Sequence, residues 1–366
     1  QSPRFLYRVE YQKGDGTERW VGPYELANRM SYILWGASPD EDLFQAAEKG
    51  DLADLQKVRS QVDRMLKDPR AIDRSEQFLS EWLNLNRLDN LRPAAEKFPK
   101  WNAELAQDMK RETLAYFREV VWKENRPLTD LLNAQYTFLT PRLAKFYGLD
   151  SPSDTFGKYD LKQTSSRGGL LTHASVLTIG GDEASMVSRG LFVLHDLLRG
   201  TVNAPPPCVN TTPPPTKPGL TQRAIAESRI ANVNCGVCHA RFEPLAFGLE
   251  KFDGIGAYHD QDRHGNTLRD DGDILFPGTA EPVKYSSSQK LMNLLAASDR
   301  VRESLTWKVT QFAIGRPLTA DDASTVAEIH RSAQENGGTY SALITSIVLS
   351  DLVQKTRTET AVAENR

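Results

Sequence analysis

No run of apolar residues in this 366-residue chain approaches the length needed to cross a bilayer, so the sequence contains no transmembrane segment. It also lacks a basic surplus. The formal net charge is −3, which offers nothing to attract nucleic acid or an anionic lipid surface. No nucleotide-binding fingerprint, nucleophile elbow or metalloprotease motif is present, and no internal repeat is evident. The first residues, Gln1 to Tyr7, do not have the form of a signal peptide and read as part of a packed segment, so the chain reads as mature or truncated at its N-terminus. Cysteine is scarce: there are three, and two of them stand three positions apart.

Those two define what is there. Cys235-Gly236-Val237-Cys238-His239 is the spacing of a c-type haem attachment site. Two thiols on one helical turn can each add across a haem vinyl group, and the adjacent imidazole is then carried under the iron as its proximal ligand. The implied cofactor is one covalently attached haem c. A zinc site would need further ligands, and His259 and His264 are the only nearby downstream imidazoles, at a spacing that suits no common zinc module. A thioredoxin-like dithiol would follow a strand, whereas Gln222 to Val233 carries a helical pattern. The third thiol, Cys208, is read as free or buried, ahead of an interchain bridge.

The fold class is mainly α, a multi-domain helical scaffold around one haem, with a short β-hairpin or turn region after the haem motif. Residues 39% hydrophobic and 25% charged are ordinary for globular domains. Helical periodicity runs through Tyr24–Trp35, a segment opened by Pro39-Asp40-Glu41-Asp42, Leu52–Leu66, Ile72–Leu85 and Trp101–Trp122, with the aromatics read as core. Nothing before Gly148 looks like an active site. The reading divides the chain into 1–22, the end of an upstream domain; 23–150, a helical domain; 160–275, the haem domain; and 285–353, a C-terminal helical domain. Ser151–Gly169 reads as a linker, and 203–219, with seven of the 20 prolines, as an extended spacer. Asp260, Asp262 and Gly265 imitate the start of a calcium loop, but His264 occupies an oxygen-ligand position and Asp271 replaces the closing Glu, so an ordinary polar turn is preferred. Thr319 reads as a helix N-cap after Arg316-Pro317-Leu318.

Three stretches are specific enough to carry a resemblance. Arg167-Gly168-Gly169-Leu170-Leu171-Thr172-His173 with Ser188-Arg189-Gly190, the proline run, and Cys238 through Asp253 (CHARFEPLAFGLEKFD) resemble the haem-bearing domain of planctomycete-type cytochrome c proteins. Those proteins carry, in order, the domains of unknown function numbered 1592, 1588 and 1585. Asn133 to Leu139 resembles the close of the first, Gly315-Arg316-Pro317-Leu318 the last, and Ser2 to Arg8 the end of a domain further upstream. The resemblance implies an exported bacterial protein, periplasmic or extracellular. Relatives often carry further haem domains upstream, so the chain is read as the C-terminal portion of a larger ancestor or a processed product.

Pro244, five residues past His239, resembles the proline whose carbonyl accepts the proximal imidazole N–H. Arg167 and Arg189 are candidates for haem propionates. The sixth iron position is open to His173 first, then Met186, with His259 and Met292 as further candidates. A strong sixth ligand implies single-electron transfer with redox partner proteins, within or outside a larger complex. An open distal face implies a haem peroxidase or oxidase, and a third reading is a structural haem subunit of an assembly. The electron-transfer reading leads.

Overall fold

The computed structural model describes residues 13–150, 154–164, 166–206, 214–357 and 359–360. Ser2 to Arg8 and Cys208, to which expectations were attached, lie outside them. The elements run β1 (Lys13–Gly14), β2 (Glu18–Trp20), α1 (Pro23–Leu34), α2 (Glu41–Glu48), α3 (Leu55–Met65), α4 (Pro69–Trp82), α5 (Ala103–Arg118), β3 (Tyr136–Leu139), α6 (Pro141–Tyr147), β4 (Gly157–Asp160), α7 (Ala174–Leu177) and α8 (Met186–Phe192). They continue with α9 (Gln222–Ala231), α10 (Gly236–His239), β5 (Gly272–Ile274), β6 (Val283–Tyr285), α11 (Ser288–Ala297), α12 (Asp299–Ile314), α13 (Ala323–Glu335), α14 (Tyr340–Val348), α15 (Asp351–Gln354), β7 (Lys355–Arg357) and β8 (Glu359–Thr360). The fold is mainly helical, and every sheet among the described residues is a two-stranded pair.

Local chemistry starts these helices where the sequence signals them. Asp40 caps α2 by accepting from Leu43 N at 3.0 Å. The helix expected over Ile72–Leu85 starts three residues earlier, at Pro69, where the missing N–H costs nothing, and ends at Trp82. Thr319 and Asp322 form a capping box ahead of α13, with Asp322 Oδ2 accepting from Thr319 N at 2.7 Å.

The chain divides into two compact units, and neither follows the linear segments. One contains the described residues up to Phe78 together with those from Thr306; the other is Leu79–Leu305. In the first, β2 pairs antiparallel with β7, Glu18 opposite Arg357 and Trp20 opposite Lys355. Buried Arg29 of α1 donates to the Val353 and Lys355 carbonyls at 2.7 and 2.8 Å. Trp35 donates to Met65 O at 3.0 Å under the Arg70 guanidinium, and Phe78 meets Phe312 edge-on at 5.4 Å.

In the second unit α5 buries Leu105, Met109, Tyr116 and Phe117, with Leu139, Leu143 and Ala174 among the residues packed beside its first turns. The segment expected to be a linker holds β4, which pairs antiparallel with β3, Tyr136 opposite Asp160. Its composition is polar because only alternate residues are half-buried, and Lys158 is held by Glu119 and Glu124 (2.8 and 3.0 Å) over the Tyr136 ring. The later part of the proline-rich segment is pinned: Asn266 accepts from Gly219 N at 2.7 Å and donates to Lys217 O at 2.9 Å. The expected hairpin is β5 with β6, Gly272 opposite Tyr285.

Candidate functional site

The Cys235–His239 turn, the expected attachment site, is made by α9, α10 and the 3₁₀ segment Glu243–Leu249 that follows them. Thr221 caps α9 through Ala224 N at 3.1 Å, and Asn232 Oδ1 accepts from Asn234 N and Cys235 N at 2.9 and 3.2 Å, which turns the chain into α10. Gly236 stands where a Cβ would meet Ile230 O at 2.2 Å, so the close approach of α10 to α9 requires glycine there.

Cys235 and Cys238 are both free thiols of intermediate exposure. Val233 and Val237 beside them are 85% and 74% exposed, the two most exposed large apolar side chains among the described residues. His239 packs its ring 5.0 Å from Phe242 and is 26% exposed, while its Nδ1 is buried with no hydrogen-bond partner. Glu243 Oε2 lies 3.3 Å from that nitrogen, outside hydrogen-bond geometry. Two unpaired thiols on the same helical turn as an imidazole whose inner nitrogen is enclosed and unsatisfied fit a covalent haem, whose vinyl groups would take the thiols.

The other sequence-predicted residues occupy different surroundings. Arg189 is 2% exposed and spends all five N–H groups on backbone carbonyls: Nε and Nη2 on Leu177, Nη1 on Leu249 and Phe252, Nη2 also on Asp253, at 2.6–3.3 Å. Burial pushes it down to about 10, against the pull of Asp253. Arg167, 3% exposed, donates to Thr172 O and Gly256 O at 2.7 and 2.5 Å and lies 3.5 Å over the Tyr147 ring. Both guanidiniums are internal staples, in place of the expected propionate contacts. The Pro244 carbonyl accepts from Tyr285 OH at 3.3 Å.

His173 is 3% exposed, with Nδ1 3.1 Å from Thr113 Oγ1, its ring edge-on to Tyr116 at 4.7 Å, and Nε2 buried without a partner. Burial, aided by Arg167, pushes it down to about 3, so it is neutral. None of these contacts is with α9 or α10. Met186, 1% exposed, packs against Ala226 and Ile230 of α9 and against Ala246 and Phe247, the elements that flank the attachment turn. It also lines a cleft of about 630 Å³ that contains His259, whose Nε2 is 3.1 Å from Asp253 Oδ2; this hydrogen bond raises His259 above its ordinary range. Met292 is fully buried in α11.

Asp262 Oδ1 accepts from His264 N and Asn266 N, and its Oδ2 from Asn266 Nδ2, the pattern of a polar turn. Among the described residues no three His, Cys, Asp or Glu side chains gather as a metal-ligating group.

Two features escaped the sequence reading. Glu243 lies four residues past His239, a helical spacing that could have been noticed. A buried network also runs before Gly148: Glu112, 1% exposed, accepts from Thr137 Oγ1 and Tyr147 OH, each at 2.6 Å, and burial pushes it up to about 7.

The fold and this turn define a helical protein with a single Cys-x-x-Cys-His surface element. Three family models match in order: the protein of unknown function DUF1592 over residues 21–149, DUF1588 over 167–262 and DUF1585 over 283–353. The chain carries these consecutive domains, the planctomycete-type cytochrome c arrangement, and the attachment turn lies inside the second. No curated protein and no solved structure matches it.

Proposed function

We propose that this protein is an exported c-type cytochrome of the periplasm or cell exterior, in which one haem, bound through Cys235 and Cys238 and ligated by His239, passes single electrons to and from partner proteins. The observation that carries the reading is the turn itself: two free thiols and the enclosed, unsatisfied Nδ1 of His239. The domain arrangement supports it. Haem, when bound, supplies the one-electron chemistry. The chain's part is to hold it, to shield one face and to set the iron's potential through the basicity of His239.

For the sixth position Met186 takes precedence over His173, because its neighbours belong to α9 and the 3₁₀ segment while His173 is enclosed by Thr113 and Tyr116. Ferric and ferrous absorption spectra, with and without carbon monoxide, test this on the wild type, Met186→Ala and His173→Ala. The expected result is a low-spin spectrum unmoved by carbon monoxide in the wild type and in haem-loaded His173→Ala, turning high-spin in Met186→Ala. A high-spin wild type that binds carbon monoxide would put a haem peroxidase or oxidase in front.

A further inference from the structure

Glu243 is fully buried, and two cationic or proton-donating groups face its carboxylate. Arg229, in the last turn of α9, directs Nη2 at Oε1 and Nε at Oε2, the latter at 3.3 Å. His239 Nδ1 stands 3.3 Å from the same Oε2. Arg229 alone would meet the buried charge, so the second approach is not explained by stability. An imidazole that binds iron through Nε2 keeps its proton on Nδ1, and a donor enclosed away from water needs an acceptor. Nδ1 has none in hydrogen-bond geometry, and the acceptor expected from the sequence, the Pro244 carbonyl, accepts from the Tyr285 hydroxyl and not from this ring.

Resting on the haem reading above, we propose that Glu243, and not the Pro244 carbonyl, is the acceptor for the Nδ1 proton of His239, a positioning residue that fixes the ring and places negative charge behind the iron ligand. The oxygen is within reach and off the line of the N–H, so a small ring rotation closes the bond when the haem docks. A carboxylate differs from a carbonyl in its net charge. It gives the imidazole partial imidazolate character, makes it a stronger donor, and favours ferric over ferrous iron. Arg229 tempers that charge and holds the carboxylate in place.

The test uses the full, exported, haem-loaded chain. Pyridine haemochrome analysis is run first, because absence of covalent haem in the wild type overturns the functional reading itself before any potential is measured. Potentiometry and ferric electron paramagnetic resonance follow on Glu243→Gln, which keeps an acceptor oxygen without the charge, and on Glu243→Asp. In Glu243→Gln the one-electron equilibrium should shift at least tenfold toward ferrous haem, about 59 mV, with a wider spread of the low-spin g values as the donor weakens; Glu243→Asp should return both toward wild type. Should the Gln variant not fold, the double variant Glu243→Gln/Arg229→Gln leaves no unpaired buried charge; its g values should widen in the same way, while its potential rises less because the cation is lost with the carboxylate. Wild-type potential and g values in a haem-loaded Glu243→Gln, or wild-type g values in the haem-loaded double variant, would overturn the proposal.

Discussion

Glu112 and Glu243 are both buried carboxylates, and their surroundings treat them differently. Glu243 is met by the Arg229 guanidinium, whereas Glu112 is met by two hydroxyls, Thr137 and Tyr147, with Arg167 acting from further off. Hydroxyls do not repay the desolvation of a charge, so Glu112 titrates at about 7 instead of near 4.5. The sign of the resulting pH dependence follows from proton counts. Between those values the folded chain holds a proton that the unfolded chain has released, so this carboxyl's contribution to stability is fully present below about 4.5 and falls as the pH rises through about 7, by about 3 kcal/mol. Denaturant unfolding from about pH 5 to about pH 8 should show this slope in the wild type and lose it in Glu112→Gln, the variant being the more stable at the upper end. Equal slopes in both would show that Glu112 is not the group responsible. At this scale the Cys-x-x-Cys-His turn was legible as a motif because its members are local: two thiols and an imidazole within five residues. The polar network was not, because its members meet across 25, 35 and 60 residues of chain, Thr137 and Tyr147 with Glu112 and His173 with Thr113. Burial of such pairs leaves no periodic mark.

Among elements, the site depends on how α8 meets the 3₁₀ segment. Gly190 lies where a Cβ would stand 2.2 Å from Phe242 O, and its neighbour Arg189 ties that side of α8 to the Leu249, Phe252 and Asp253 carbonyls. Gly190→Ala must therefore push the helix off the segment that carries Glu243. A loss of about 1–3 kcal/mol is expected from overpacking, read as a lower thermal midpoint together with reduced haem incorporation. An unchanged midpoint would mean that α8 and the segment can separate freely. Helix starts were legible where caps are local signals, as at Asp40 and Thr319; the helix expected from Ile72 starts instead at Pro69. β4 was not legible, since Gly157–Asp160 is a two-stranded partner with one half-buried face and a polar composition that also describes a loop. The arginines of the Arg167 and Ser188-Arg189-Gly190 motifs were read as anion ligands because a guanidinium in a haem domain suits a propionate. Only the fold reveals that backbone carbonyls surround them.

For the whole molecule, helical class and the order of the three domains could be read along the chain, and the family matches at 21–149, 167–262 and 283–353 agree with that order. The composition of the compact units could not. Strand β2 near one end pairs with β7 near the other, and amphipathic periodicity says which face of an element is buried but not against what. The electron-transfer reading, the sixth ligand and the role of Glu243 all depend on Cys235 and Cys238 holding one haem covalently. The most direct test is intact mass and pyridine haemochrome analysis of the chain produced with export and cytochrome c maturation, after acid extraction that strips non-covalent haem, alongside Cys235→Ser/Cys238→Ser. One haem retained per chain in the wild type and none in the double variant is the result predicted. A wild-type chain that leaves extraction without haem would contradict it.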